Sequence, residues 1–277
     1  MNDFDLNNSE TCLMDYNFGL LTEYLYDSGE GIFNQCTPTD EVSNKEITRG
    51  LGKIESGEQF AFYNLDLSKQ ELKILQDLKI TDYNEISIIS SVDKAGLLKQ
   101  EINQAFEGMN GIITFSLEKL SDLVIRVVSI IVGELGVKDF ELKIRIREGY
   151  KNEDDCLYWH LDKSKSEILG QKEENKEERF LITLKGEGTI YQKIDDVARA
   201  SFMKEAEEAP YYYGHGIEGC KSNDKINQLF KKGELIKTEE HYGSVHIAGS
   251  NGAMHAAPEE SESRLILLIT PKNNSTK

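Results

Sequence analysis

From Leu65 to Leu135 apolar residues recur every three or four positions, and from Phe140 onward they recur every second position. The first period collects side chains on one face of a helix, the second on one face of a strand. The segment "SKQELKILQDL" opens with the capping pair Ser68 and Glu71 and then sets Leu72, Leu75 and Leu78 on one stripe, which predicts a helix. A second helix is predicted from near Asp93, with Leu98, Ile102, Ala105 and Phe106 at helical spacing and Gly108 as its stop. A third begins after Ser116 and ends before Gly136; it is apolar on nearly every side, so it is expected to pack against more than one neighbour. The whole region from about Leu65 to Leu135 therefore reads as helical.

The segment "FELKIRIREGY" alternates strictly, Phe140, Leu142, Ile144 and Ile146 against Glu141, Lys143, Arg145 and Arg147, the pattern of a strand with one buried face. Further short apolar runs follow, "RFLITLKGEGTIYQ" (179–192), "GSVHIAGS" (243–250) and "RLILLITP" (264–271), divided by glycine-rich or charged segments. Such spacing predicts a sandwich or barrel. A charged stretch (165–178) and a long insertion (193–242) interrupt it, and no internal repeat is present. The expected organisation is an acidic, partly ordered N-terminal extension (1–64), a helical support region (65–136) and a barrel (137–277) that holds all five histidines and the 193–242 insertion.

Charge narrows the function classes. A net charge of −17 argues against a nucleic-acid or anionic-membrane partner, since both need a basic surface. Residues 1–44 carry nine carboxylates and no Lys or Arg, unlike a secretory or mitochondrial leader, and are expected to be solvated or, alternatively, to dock a basic partner. The most apolar run, "LVIRVVSIIVGELGV" (123–137), is too short for a bilayer and contains Arg126 and Glu134, so it is expected to be a core helix. Cys12, Cys36, Cys156 and Cys220 are scattered without a C-x-x-C pair, which suggests reduced thiols and a cytoplasmic location.

The chemistry centres on "CLYWHLD" (156–162). In an extended segment His160 and Asp162 project from the same face, and an imidazole with a carboxylate suits a borderline divalent metal such as Fe(II). A third ligand can come from His215, His241, His246 or His255. His255 stands out because "GAMHAAPEESESRLILLI" turns through Pro258 and returns with Arg264 opening an apolar strand, which is expected to lie beside the histidine's own strand. A guanidinium at the head of such a run needs an anionic partner, and a bound dicarboxylate could supply one through a bidentate pair. Two histidines and one carboxylate describe the facial triad of non-haem Fe(II) oxygenases.

These segments give the chain a resemblance to the 2-oxoglutarate/Fe(II)-dependent dioxygenases over roughly residues 140–271. It most resembles a bacterial domain-of-unknown-function family with the H-x-D…H…R pattern. The shared features are "CLYWHLD", the arginine-led "RFLITLKGEGTIY" with its G-x-G-T turn, "MHAAP" and "RLILLITP". The resemblance implies an α+β fold, a double-stranded β-helix (jelly-roll, cupin-like barrel) preceded by and packed against N-terminal helices. It implies Fe(II) held by His160, Asp162 and His255, and Arg264 paired with the distal carboxylate of 2-oxoglutarate. Thr183, Lys185 or Tyr191 would add a hydrogen bond to that co-substrate. With dioxygen such an enzyme converts 2-oxoglutarate to succinate and carbon dioxide while hydroxylating a substrate, here a protein or a small molecule. One departure stands out: many relatives carry Ser or Thr two residues after the arginine, where this chain has Ile266.

The remaining candidates have plainer expectations. Cys156 reads as a small core thiol, and Trp159 as pointing away from His160 into packing between barrel and helices. The loop "PYYYGHGIEG" (210–219) is either a surface loop or a lid, and His241 and His246 are expected to be surface and strand residues without a metal role. Two rival functions stay open: a cupin-type metalloenzyme that does not use 2-oxoglutarate, and a non-catalytic jelly-roll binding module.

Overall fold

The computed structural model describes residues 38–91, 95–151, 159–162, 164, 177–208, 235–258 and 260–272. The acidic stretch through residue 37, the four cysteines, residues 165–176 and the 210–219 loop with His215 lie outside the described residues.

The helices begin and end where their sequences dictate. After α1 (Pro38–Glu55) comes α2 (Lys69–Asp77), opened by the reciprocal capping box: Glu71 N–H donates to the Ser68 hydroxyl at 3.3 Å, and Ser68 N–H donates to the Glu71 carboxylate at 2.8 Å. Next are α3 (Ala95–Gly108) and α4 (Leu117–Leu135), the latter capped by Ser116 and closed by Gly136 in the left-handed region at φ 59°. Leu120, Val124, Val127, Val128 and Ile131 are all buried, as expected of a helix enclosed by α1, α2 and α3.

The larger sheet has six strands in the order β1 (Phe60–Asn64), β10 (Tyr242–Ile247), β7 (Glu178–Lys185), β13 (Arg264–Lys272), β5 (Asp139–Arg147) and β3 (Asn84–Ser91), every pairing antiparallel. Its apolar face supplies Phe140, Leu142, Ile144 and Ile146 from β5, Phe180 and Ile182 from β7, and Leu265, Leu267 and Ile269 from β13 to one core shared with the helices. The smaller sheet is β11 (Met254–Ala256), β8 (Ile190–Gln192) and β9 (Leu235–Lys237), extended past β11 by a bridge from His160. Two short pairs complete the set, β2 (Lys79–Ile80) with β4 (Ile112–Ile113) and β6 (Tyr150–Lys151) with β12 (Glu260–Ser261).

Along the chain, β5, the His160 segment, β7, β8, β9, β10, β11 and β13 pass between the two sheets in a double Greek-key order. The large-sheet members read β10-β7-β13-β5 and the small-sheet members His160-β11-β8-β9, which is the jelly-roll (double-stranded β-helix) topology. The fold is thus α+β, with helices on the outer face of the larger sheet. No described helix is long and apolar enough to cross a membrane.

Three findings differ from the sequence expectations. The 65–136 region is not wholly helical: "NEISIISS" forms β3, because Ile86 and Ile88 alternate onto the helix-facing core while the strand pairs along the edge of β5. Strand β1 comes from the segment read as an extension and pairs with β10. His255 and Arg264 are not on neighbouring strands. Their strands β11 and β13 belong to opposite sheets, so the turn between them crosses the barrel and both side chains line the cavity inside it.

The G-x-G-T turn joins β7 to β8 and fixes one wall of that interior. Gly186 sits at φ +79° with its amide held by Glu240 Oε1 at 2.7 Å, and a Cβ on Gly188 would run into the Thr238 carbonyl. The insertion contributes α5 (Asp196–Glu208), whose Phe202 packs against the outer face of the smaller sheet.

Candidate metal centre

Trp159 and Leu161 pack outward with Ile194, Phe202, Met254 and Ala256. Alternation then turns His160 and Asp162 inward. The His160 backbone exchanges both hydrogen bonds with His255: N–H of His160 donates at 2.9 Å and N–H of His255 at 3.1 Å. The two imidazole centroids lie 4.1 Å apart. Potential ligand atoms of His160, Asp162 and His255 all fall within 4.8 Å of one another.

The protonation states suit a metal. His255 Nδ1 donates to the Ala253 carbonyl at 3.0 Å, which leaves Nε2 facing Asp162 Oδ1 at 3.8 Å. Burial, and then the neighbouring His160, hold the His255 pKa well below the ordinary histidine value, so the ring is neutral with its lone pair on Nε2. For Asp162, burial acts to raise the pKa. The hydrogen bond from His246, with the Arg179 guanidinium beside it, outweighs burial and holds the carboxyl far below the usual carboxylate range. An ionised carboxylate with neutral imidazole is the ligand-ready state, and this donor set fits Fe(II) among first-row divalent metals.

Behind the candidate ligands lies a network that sequence reasoning missed. His246, expected to be a plain strand residue, is fully buried on β10, and its Nε2 donates to Asp162 Oδ2 at 3.0 Å. Arg179 Nη1 reaches the same oxygen at 3.2 Å. His246 Nδ1 shares a 3.2 Å hydrogen bond with the Tyr191 hydroxyl, which lies 2.7 Å from Ser244 Oγ; that hydroxyl in turn donates to the Leu181 carbonyl at 3.3 Å. A signal was present in "SVHI": Val245 and Ile247 fill the helix-side core, so Ser244 and His246 must face the barrel interior. His241, by contrast, is half-buried at φ 67° with Nδ1 on the Leu184 carbonyl at 2.9 Å, apart from the cluster.

His160, Asp162 and His255 border a cavity of about 170 Å³, with Lys143 and Arg145 on β5, Thr189 after the glycine turn, and Arg264, Ile266 and Leu268 on β13. Arg264 is buried. The polar face of β5, read as the strand's second side, is thus partly cavity wall. Of the loosely assigned residues, Thr183 is buried on the same face of β7 as cavity-lining Leu181. Lys185 is not brought to the cavity: the register shift between Leu265 and Ile266 breaks the alternation of β7, and the ammonium donates to the Leu75 carbonyl on α2 at 2.9 Å. Tyr191 is buried with its hydroxyl committed to Ser244 and His246, behind the ligands and not on the cavity wall. Burial first, and then the nearby Asp162 charge, raise its pKa despite the Ser244 hydrogen bond, so it stays protonated.

No protein-family model matches the chain, and no curated protein matches it in sequence. In structure the chain is similar to several solved hydroxylases. A prolyl-4-hydroxylase from Pseudomonas putida aligns over 82% of this chain and 99% of its own, at 10% identity and a TM-score of 0.37. The Kdo hydroxylase KdoO, a non-heme Fe(II) alphaketoglutarate-dependent dioxygenase solved with alphaketoglutarate and Fe(III), aligns over 87% and 86%, at 14% identity and a TM-score of 0.40. A prolyl hydroxylase from Trichoplax adhaerens aligns over 88% and 99%, at 8% identity and a TM-score of 0.37.

Proposed function

We propose that the chain is an Fe(II)- and 2-oxoglutarate-dependent oxygenase of the hydroxylase type, acting on a protein side chain or a small molecule. The observation that supports this best is the convergence of His160, Asp162 and His255, with ligand-capable atoms within 4.8 Å, on a cavity that also holds the buried Arg264. Three protein donors on one side of a metal leave room for a chelating oxo-acid and dioxygen.

In this reading His160 Nε2 or Nδ1, His255 Nε2 and Asp162 Oδ1 hold Fe(II). Arg264 meets the distal carboxylate of 2-oxoglutarate, for which a guanidinium fork is the geometric match. Thr189 and Thr183 are the hydroxyls available on that side of the barrel, where Ile266 cannot donate. Lys143 and Arg145 also line the cavity, each beside a carboxylate, Glu141 and Glu85 respectively. Bound iron and 2-oxoglutarate would supply the oxidising power; the barrel's part is to bring His160, Asp162, His255 and Arg264 to one cavity.

Anaerobic titration of the Fe(II)-loaded protein with 2-oxoglutarate tests the proposal by the weak visible charge-transfer band of the chelate. The band should appear for the intact chain and be lost in His255→Ala. A folded, iron-loaded chain that gives no band is not such an oxygenase, and metal binding without succinate formation would favour the cupin-type alternative.

A further inference from the structure

We infer that His246 and Arg179 are positioning residues that commit one oxygen of Asp162, so that the carboxylate can offer only Oδ1 to a metal. The inference rests on the metal-centre reading and deepens it: it concerns how many coordination positions the protein itself fills.

The two oxygens of Asp162 stand in different surroundings. Oδ2 lies 3.0 Å from His246 Nε2 and 3.2 Å from Arg179 Nη1. Oδ1 is turned toward His255 Nε2 at 3.8 Å, too far for a hydrogen bond but suited to two ligands of one ion. An ionised carboxylate only accepts, so His246 must carry its proton on Nε2. That nitrogen therefore has no lone pair to give a metal, and the ligand-capable group is His160, Asp162 and His255 without His246.

Both residues are themselves held. His246, Tyr191 and Ser244 are completely buried, and their hydrogen bonds run from Asp162 to the β7 backbone at Leu181. Arg179 is fixed at its other edge by Glu177, whose Oε1 lies 3.0 Å from Nη2. Asp162 thus cannot rotate to present both oxygens without abandoning two charge-assisted contacts. A two-oxygen carboxylate would occupy a coordination position that a chelating acid needs; a one-oxygen carboxylate leaves it open.

The test uses the full chain with Co(II) as the probe, read by calorimetry and by the intensity and position of the visible cobalt bands. Folding of each variant is checked by far-UV circular dichroism. His246→Leu should weaken Co(II) binding by roughly 10–100-fold, the usual cost of losing an outer-shell partner, and change the cobalt bands. His246→Gln, whose amide can still donate to Oδ2, should recover most of both. Arg179→Gln and Tyr191→Phe should each give a smaller loss in the same direction, and they decide the matter should the leucine variant not fold. Wild-type affinity and unchanged bands in His246→Leu, or in both Arg179→Gln and Tyr191→Phe, would overturn the positioning role while leaving the metal centre intact. A glutamine variant as weak as the leucine variant would also overturn it. A wild-type chain that binds no Co(II) would instead remove the metal-centre reading.

Discussion

His160 and His255, far apart in sequence, form a hydrogen-bonded β pair, N–H to carbonyl at 2.9 and 3.1 Å. The pairing is made by backbones, so it survives loss of either side chain. His160→Ala or His255→Ala should therefore keep a cooperative fold. Each should lose metal affinity by more than the roughly 10–100-fold that an outer-shell substitution costs. Calorimetric titration with Co(II) or anaerobic Fe(II) measures it. A folded His255→Ala chain with wild-type affinity would move the metal elsewhere.

Arg264 opens β13 on the cavity side, while Leu265, Leu267 and Ile269 fill the helix-side core. Replacing it by Gln removes the cation from a buried site without a large change in volume. The affinity for 2-oxoglutarate should fall by about 2 kcal/mol or more, which is roughly thirtyfold, as expected when one partner of a buried charge pair is truncated. Arg264→Lys should recover little, because an ammonium cannot form the bidentate fork. Metal affinity should hardly change. Wild-type 2-oxoglutarate affinity in both variants would show that Lys143 or Arg145 holds the acid instead.

The pairing of His160 with Asp162 on one face was legible in sequence because an H-x-D on an extended segment is local, whereas the approach of His255 depends on a long-range backbone bridge. The helix caps at Ser68, Ser116 and Gly136 were legible because they too are local. What escaped notice depends on which strands face each other. His246 and Arg179 touch Asp162 only because β10 and β7 run side by side beneath the smaller sheet, and no local spacing encodes that pairing. Lys185 failed for a related reason, since a register shift in β7 reversed the face that parity alone would assign. β3 was overlooked because its Ile-Ser alternation is short and lies between two strong helical patterns.

Acid should destabilise the metal-free chain, and the sign follows from both depressed pKa values. His255 is kept neutral in the fold, so the unfolded chain takes up that proton first and stability declines as pH drops below about 6.5. Asp162 is kept ionised, so its contribution is complete above about pH 4 and is lost as pH falls further. Urea midpoints measured with EDTA between pH 7.5 and pH 3 should therefore fall on acidification. The gap between wild type and Asp162→Asn should narrow at the acid end, where the wild-type carboxylate loses its advantage. A gap that is constant across the range would mean that the network around Asp162 does not favour its ionised form.

The two glycines of contrasting surroundings offer a stability test of the cavity wall. At Gly188 a Cβ would collide with the backbone carbonyl of Thr238, which cannot swing aside because Thr238 N–H is bound to the Thr189 carbonyl at 2.9 Å. Gly188→Ala must therefore push β8 and Thr189 away from the loop before β10, at a cost of about 1–3 kcal/mol by comparison with other overpacked sites. The melting temperature should drop by roughly 2–4 °C per kcal/mol, and 2-oxoglutarate binding should weaken with it, because Thr189 lines the cavity. Gly52 lies exposed in α1, with nothing within 4 Å of an added Cβ. Gly52→Ala should raise stability by about 0.5–1 kcal/mol through helix propensity alone, leaving ligand binding untouched. If thermal denaturation gave the two variants the same sign, the close approach at the glycine turn would not be a real constraint on the barrel.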